Sequence, residues 1–186
     1  RLRAEFVADE ETKKKLIASL DEMQGMTEAT LAFARDDATR EETRNVDLSA
    51  LLESLCADLV DLGWDVQFRN GEKIPYRCRP DSLRRAVRNL VENAVRYGDR
   101  ARVSLSSKDD GLEIGVEDDG TGIPEQEFER VFQPFVRLEG SRNRATGGVG
   151  LGLSIARSIV RGHGGDIVLY NGSGLHVAVK LPRSGA

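Results

Sequence analysis

The chain has 186 residues, of which 39% are hydrophobic and 31% charged, a composition typical of a soluble protein with one domain or two small ones. It carries 27 Lys and Arg against 31 Asp and Glu, and the net charge of −4 argues against non-specific nucleic-acid binding, which needs a basic face. The two cysteines lack CxxC spacing, which excludes a disulfide scaffold or zinc site, and no apolar run approaches the ~18 residues of a membrane span.

A helix is predicted over residues 12–36, where apolar and small residues recur at the three- and four-residue spacings of a coiled-coil seam. The residues of this seam are Leu16, Leu20, Met23, Thr27, Thr30 and Ala34. Leu2, Phe6 and Val7 are typical of the end of an earlier helix, which favours an antiparallel hairpin over residues 1–36 whose first arm is short. The alternative is a single amphipathic helix packed on its own domain. A hairpin this short needs partner helices, most simply from a second copy of the chain.

Residues 37–45 are polar without an apolar period and are predicted to form a solvated linker. After them, Asp47 or Ser49 is a suitable N-cap for a leucine-rich helix, and Pro80 begins a second helix with a clear apolar face. A third helix is expected after Gly152. Strands are predicted at residues 65–69, 74–78, 101–107, 112–116, 166–170 and 175–181. From residue 46 onward the chain is therefore expected to form an α/β domain.

Two amides lie four residues apart on the second of these helices, so that Asn89 and Asn93 share one face. Buried helix faces seldom carry two amides unless something uses them, and an amide carbonyl is a hard oxygen ligand suited to Mg²⁺. One turn further on, Arg96 supplies positive charge and Tyr97 a flat ring. Taken alone, the pattern is equally compatible with an ordinary polar helix face.

A carboxylate and two glycines follow the predicted strand that ends near residue 116, in the order Asp118, Gly120, Gly122. A carboxylate accepts a hydrogen bond from the exocyclic amino group of adenine, and glycines let the backbone approach a flat base closely. The alternative is a simple turn after a strand.

Two further motifs suit phosphate binding. Residues 132–137 read Phe-Gln-Pro-Phe-Val-Arg and precede a polar stretch, and the arginines here are typical of a segment that closes over phosphates, or of a solvated loop. Alternating glycines at residues 147–152 then lead into a helix, whose free N–H groups and positive end form an anion site. Their GxGxG spacing differs from the dinucleotide-binding GxGxxG and disfavours a Rossmann fold.

In this order, the Asn-x-x-x-Asn, Asp-x-Gly-x-Gly, Phe-x-Pro-Phe and Gly-x-Gly-x-Gly-Leu motifs resemble the N, first G, F and second G boxes of the GHKL ATP-binding fold of sensor histidine kinases. The resemblance covers about residues 46–182 and is similar to the EnvZ-like branch. It implies a Bergerat α/β sandwich, a mixed sheet covered on one face by helices. The implied segments are a dimerisation and phosphotransfer hairpin (1–36), a linker (37–45) and a catalytic ATP-binding domain (46–186).

The resemblance also implies roles for single residues. Asn93 would ligate Mg²⁺ with Asn89 supporting it, Arg96 would reach the phosphates, Tyr97 would stack on adenine, and Asp118 would read the adenine amino group. The wall beside the base would be shaped by Gly120, Gly122 and Ile123. The phosphates would be held by Arg137, Arg142 and Arg144 and capped by Gly148, Val149, Gly150, Leu151, Gly152 and Leu153.

Asn89 bears on the reaction, because hydrolysing members of the superfamily carry Glu at that place and an amide is no general base. With Arg137, Asn89 is the expected catalytic residue of a kinase that holds Mg·ATP for transfer of the γ-phosphate. The neighbouring Glu92 leaves weak hydrolysis open.

The family's acceptor histidine lies in an H-x-x-x-P-like box that this chain lacks, so we expect the acceptor to precede residue 1. The chain should then bind ATP without phosphorylating itself, as the cytoplasmic part of a homodimeric inner-membrane sensor whose phosphate passes to a response regulator. The alternatives are a GHKL ATPase, an anti-sigma-type serine kinase, or a nucleotide-sensing dimerisation module without chemistry. His163 and His176 are the only histidines, and His163 is expected to end a helix.

Overall fold

The computed structural model describes residues 41–69, 72–108, 110–138 and 149–183. The predicted hairpin (1–36), residues 37–40 of the predicted linker, and the candidate residues Arg142, Arg144 and Gly148 lie outside these ranges. The chain divides into two compact units, and one of them comprises Glu41–Thr146 with Gly150–Ala186. Apart from Val149, which belongs to the other unit and is half-buried, everything described below lies in this unit.

Seven strands and three helices form within the described residues. In chain order they are β1 (Arg44–Asp47), α1 (Leu48–Asp61), β2 (Val66–Arg69), β3 (Pro75–Cys78), α2 (Pro80–Gly98), β4 (Ala101–Lys108), β5 (Gly111–Glu117), α3 (Gly152–Arg161), β6 (Asp166–Asn171) and β7 (Leu175–Pro182). Two 3₁₀ turns, Glu125–Glu127 and Arg130–Phe132, lie between β5 and α3. The strands predicted from alternating apolar residues are confirmed, because each observed boundary falls within one residue of the predicted one. None of the described helices has the length and apolar character that a membrane crossing requires.

The main sheet is mixed, as predicted, with the strand order β2-β4-β5-β7-β6. β2 runs parallel to β4, and the other neighbouring pairs are antiparallel. One face carries aligned apolar side chains, such as the row Val103, Val116 and Val177, and these pack in one core with the apolar faces of the helices. The buried residues of α2 include Leu83, Val87, Leu90, Val91 and Ala94. β1 and β3 form a separate two-stranded antiparallel sheet.

The structure differs from the predicted linker at its C-terminal end. Arg44 and Asn45 belong to β1, which pairs with β3 although its residues show no apolar alternation, because a short, largely exposed strand needs only backbone hydrogen bonds. Glu41 is also engaged: its carboxylate accepts hydrogen bonds from the N–H groups of Asp81 (2.7 Å) and Ser82 (2.9 Å) at the start of α2. Glu41 therefore caps α2.

Local signals at the helix ends are confirmed. Asp47 caps α1, and its Oδ1 accepts from the N–H groups of Ser49 (3.1 Å), Ala50 (3.4 Å) and, across the fold, Ile74 (3.3 Å). Cys56 and Cys78 are buried core side chains, and burial raises the pKa of each thiol to about 11.

His163 joins the start of α2 to the end of α3, two residues beyond the last residue of α3. Its Nε2 accepts a hydrogen bond from the Arg79 N–H (3.1 Å), and its Nδ1–H donates to the Ile159 carbonyl (2.8 Å). Burial lowers the pKa of His163, which is 1% exposed, and the neutral ring suits both bonds. This residue ends a helix, as expected from its Gly-His-Gly-Gly setting.

Candidate functional site

Asp118 lies directly after β5 and is 6% exposed. Its Oδ1 accepts hydrogen bonds from the N–H groups of Gly120 (2.8 Å) and Leu175 (3.0 Å), and its own N–H donates to the Leu175 carbonyl (3.1 Å). Among the residues that the structure describes, Asp118 Oδ2 has no hydrogen-bond partner. One oxygen therefore anchors the carboxylate, and the other is available to a ligand.

Three glycines allow backbone segments to meet around this carboxylate. A Cβ atom on Gly98, at the end of α2, would lie 2.6 Å from Asp118 Cβ, and one on Gly120 would lie 2.6 Å from the Tyr97 carbonyl oxygen. A Cβ atom on Gly174 would lie 2.1 Å from the Asp118 carbonyl oxygen. Gly120 is a predicted site residue, whereas sequence reasoning missed Gly98 and Gly174. Their signals were a glycine directly after Tyr97 and a glycine-rich turn between two strands.

The Gly122–Ile123 segment is held by Asn171, the last residue of β6. Asn171 Nδ2 donates to the Ile123 carbonyl (2.7 Å), and its Oδ1 accepts from the Ile123 N–H (3.1 Å). Gly122 has φ = +72°, and a Cβ atom there would lie 2.5 Å from Asn171 Oδ1. Both predicted residues, Gly122 and Ile123, thus lie against a side chain that sequence reasoning missed.

Arg102, on β4, holds the turn at Asp118 and Asp119 from the neighbouring strand. Its Nη2 donates to Asp119 Oδ1 (2.6 Å) and to the Asp118 carbonyl (3.3 Å), and only 16% of its side chain is exposed. The Arg102 hydrogen bond lowers the pKa of Asp119 below its usual range. Sequence reasoning missed Arg102 as well.

Asn89 and Asn93, on α2, lie next to the first residue of α3. A Cβ atom on Gly152, the first residue of α3, would lie 3.4 Å from Asn93 Nδ2 and 3.8 Å from Asn89 Cβ. No side chain caps the N-terminus of α3, and the buried Asn89 Nδ2 has no hydrogen-bond partner among the described residues. This corner combines uncapped N–H groups, a helix dipole and two amides, an arrangement that suits an anion.

Arg96 and Tyr97 occupy the last turn of α2, between the amide pair and Asp118. Both are exposed, Tyr97 to 47%, and among the described residues neither side chain hydrogen-bonds to another candidate residue. The Tyr97 backbone lies against the Asp118 turn, and the side chains of both residues are exposed.

The segment around Arg137 meets the glycine-rich segment at Gly150. The Phe135 N–H donates to the Gly150 carbonyl (2.9 Å), and Gly150, at φ = +77°, approaches so closely that a Cβ atom would lie 2.9 Å from the Val136 carbonyl oxygen. Phe135 itself has φ = +66° and is 48% exposed. Arg137, Leu151 and Leu153 are half-buried.

The described candidate residues thus form three adjoining groups. The amide pair meets the start of α3, the end of α2 meets the Asp118 turn, and Phe135 to Arg137 adjoin Gly150, two residues before α3. Glu92, next to the amide pair in sequence, forms an ion pair with Arg88 (3.0 Å).

Residues 78–185 match the model of a family described as histidine kinase-, DNA gyrase B- and HSP90-like ATPase. Among curated proteins, the chain is 39% identical to the sensor histidine kinase GtrS of Pseudomonas aeruginosa, over 100% of this chain and 38% of GtrS. It is 31% identical to the histidine-protein kinase BaeS of Escherichia coli, over 96% of this chain and 38% of BaeS. The chain therefore spans well under half the length of these relatives.

Solved structures share the fold. The ATP-binding domain of PrrB from Mycobacterium tuberculosis superposes with a TM-score of 0.63 at 28% identity, covering 76% of this chain and 97% of that domain. The mycobacterial sensor histidine kinase MprB gives a TM-score of 0.64 at 25% identity, covering 78% of this chain and 100% of the solved chain. Full-length ShkA, solved with AMPPNP, gives 0.73 at 22% identity over 97% of this chain and 40% of ShkA, a likeness of fold alone.

Proposed function

The chain belongs to the family of histidine kinase-, DNA gyrase B- and HSP90-like ATPases, and from this premise we propose that its site holds Mg·ATP for transfer of the γ-phosphate to a histidine side chain. The predicted Bergerat α/β sandwich is confirmed, and the chain contains the ATP-binding catalytic domain of an EnvZ-like sensor histidine kinase. What we propose beyond this concerns the residues that contact ATP, the binding of Mg²⁺ and the histidine that accepts the phosphate.

The observation that carries the proposal is the half-satisfied carboxylate of Asp118. A nearly buried carboxylate whose Oδ1 is committed to two backbone N–H groups presents Oδ2 as a rigid acceptor. The adenine amino group is a donor of matching chemistry, whereas guanine carries an acceptor at the same position. Asp118 would therefore select adenine, with Gly120, Gly122 and Ile123 beside the base and the exposed ring of Tyr97 stacked on it.

The amide corner fits the phosphates and Mg²⁺. Uncapped N–H groups at the start of α3 and the orphaned Asn89 Nδ2 supply donors for phosphate oxygens. The Asn93 carbonyl suits Mg²⁺, a hard cation that takes its remaining ligands from phosphates and water. Within the described residues no cluster of three or more His, Cys, Asp or Glu is placed to hold a metal.

The remaining candidate residues would act on the phosphates. Arg96 and Arg137 supply positive charge, and residues 149–153 carry the backbone that leads into α3. Arg142, Arg144 and Gly148 stay predictions. When bound, Mg²⁺ would neutralise charge on the transferring phosphate.

Transfer is favoured over hydrolysis by the chemistry of the two described side chains best placed to activate water. Asn89 is an amide, and the nearby carboxylate of Glu92 is engaged by Arg88. This argues against the ATPase alternative. In the whole protein, the acceptor histidine would pass the phosphate to a response regulator, and we propose that this chain is the cytoplasmic part of a homodimeric inner-membrane sensor.

Calorimetric titration with Mg·AMPPNP tests the site. We expect micromolar affinity for the wild type and a loss of at least about tenfold in Asp118→Asn, since a charged hydrogen bond contributes ~1.5–3 kcal/mol. In Asn93→Ala, AMPPNP affinity should be the same with Mg²⁺ as with EDTA, whereas in the wild type Mg²⁺ should raise it. Asp61→Asn, at the exposed end of α1, and Asn45→Ala, on β1, are the matched controls. Unchanged binding in both site variants would refute the assignment.

Transfer to a separately supplied acceptor hairpin, with radiolabelled ATP, tests the kinase proposal. Label should appear on the hairpin as acid-labile phosphohistidine. Phosphate release at the same rate with and without the hairpin would favour the ATPase alternative. Binding without any transfer would favour a nucleotide-sensing module.

A further inference from the structure

We propose that Asn171 is a positioning residue that holds the Gly122–Ile123 segment in the shape that discriminates adenine from guanine. The inference rests on the proposed function, because it assigns the partner of a segment placed there beside the base. Asn171 lies on a different strand from Asp118 and acts through the backbone of Ile123.

The contact is a backbone-like clamp. The Asn171 amide pairs with both the N–H (3.1 Å) and the carbonyl (2.7 Å) of Ile123, as a neighbouring strand would. Among the described residues, these two are the hydrogen bonds that join residues 121–124 to the main sheet. The segment follows Asp118 without regular secondary structure of its own, and the Ile123 side chain packs against the core. Because that packing does not fix the backbone by hydrogen bonds, the backbone position of the segment depends on this clamp.

The clamp also fits tightly. A Cβ atom on Gly122 would lie 2.5 Å from Asn171 Oδ1, which explains why a residue without a side chain stands there, at φ = +72°. Asn171 is itself exposed, so its truncation opens no cavity in the core. Loss of the clamp should therefore alter the segment more than it alters the fold.

Titration of Asn171→Ala with AMPPNP and with GMPPNP tests the proposal. We expect AMPPNP affinity to fall by about tenfold, the worth of one or two hydrogen bonds, and the preference for AMPPNP over GMPPNP to shrink. The ratio of affinities with Mg²⁺ and with EDTA should stay at the wild-type value, because the amide corner is untouched. Asn171→Asp, which keeps the acceptor for the Ile123 N–H, should recover part of the loss.

Amide hydrogen exchange gives a readout that is independent of ligand. In Asn171→Ala, exchange at the Ile123 N–H should accelerate, while the Leu175 N–H, bonded to Asp118, keeps its protection. Asn45→Ala should change neither exchange nor selectivity.

The outcomes distinguish a failure of the proposed function from a failure of the positioning role of Asn171. No AMPPNP binding by the wild type refutes the proposed function. Wild-type binding with unchanged selectivity in Asn171→Ala, or an equal loss for both nucleotides, refutes the positioning role. If Asn171→Ala melts too low for titration, Asn171→Asp decides, because it loses the donor to the Ile123 carbonyl, and wild-type selectivity in that variant overturns the inference.

Discussion

Gly98→Ala places one methyl group between the end of α2 and the Asp118 turn. The new Cβ would lie 2.6 Å from Asp118 Cβ, 2.7 Å from the Gly120 nitrogen and 2.8 Å from the Asp119 nitrogen. Ordinary carbon contacts lie at about 3.5–4.0 Å, so the turn must move by about 1 Å. Two of the three atoms belong to the backbone, and rotation of a side chain therefore cannot relieve the overlap.

The cost follows from two opposing effects. Overpacking of this kind costs about 1–3 kcal/mol. The higher helix propensity of alanine offsets at most ~1 kcal/mol of this loss, and less at the last residue of a helix. We expect a net loss of about 1–2 kcal/mol in the free energy of unfolding, which lowers the Tm by about 3–8 °C. Because the displaced turn carries Asp118, AMPPNP affinity should fall by at least about tenfold.

Thermal unfolding and calorimetric titration of the same preparation measure both effects. Gly172→Ala is the matched control, because a Cβ atom there meets nothing within 4 Å and its φ is not in the left-handed region. We expect that variant to stay within about 0.5 kcal/mol of the wild type. If Gly98→Ala binds AMPPNP with wild-type affinity, the Asp118 turn does not have to touch α2 for base recognition, and the reasoning is wrong.

Three further predictions concern other parts of the domain. Burial lowers the pKa of His163, so below pH ~6.5 the unfolded chain binds a proton that the folded chain does not. The free energy of unfolding in urea should therefore fall from pH 7.5 to pH 5, and it should fall less steeply in His163→Gln. Asp47→Ala should lower the free energy of unfolding by about 1–2 kcal/mol through loss of the α1 cap, with Asp61→Ala as the control; equal Tm values would contradict the capping role. Arg102→Met should weaken AMPPNP binding several-fold while Arg69→Met, on the adjacent strand, leaves it unchanged; equal titration curves would count against Arg102 as a support of the Asp118 turn.

The regular elements were predictable because their signals are local. Alternation along β4, β5 and β7 reports which side chains enter the core, and Asp47 and Pro80 mark helix starts by their own backbone chemistry. The order of the four motifs indicated the family, and the structure brings their described residues into adjoining groups.

The supports of the site were not predictable, because each acts on a residue far away in sequence. Asn171 is 48 residues from Ile123, and Leu175 is 57 residues from Asp118. Nothing beside Asn171 distinguishes it from an ordinary hairpin residue. The strand Arg44–Asp47 was not predicted for a different reason: its own residues are exposed or half-buried and follow no apolar pattern.

The long sequence separation between Asp118 and Leu175 has a consequence for synthesis on the ribosome. The Asp118 carboxylate emerges well before β7, which supplies one of its two anchoring N–H groups, and Asn171 also lies near the C-terminal end of the domain. A nascent chain that stops before residue 175 would contain all the motif residues but lack the Leu175 N–H, one of the two groups that anchor the carboxylate proposed to read the base. The ability to recognise adenine would therefore arise late in translation. Nucleotide binding by stalled chains of increasing length would report when β7 pairs with β5.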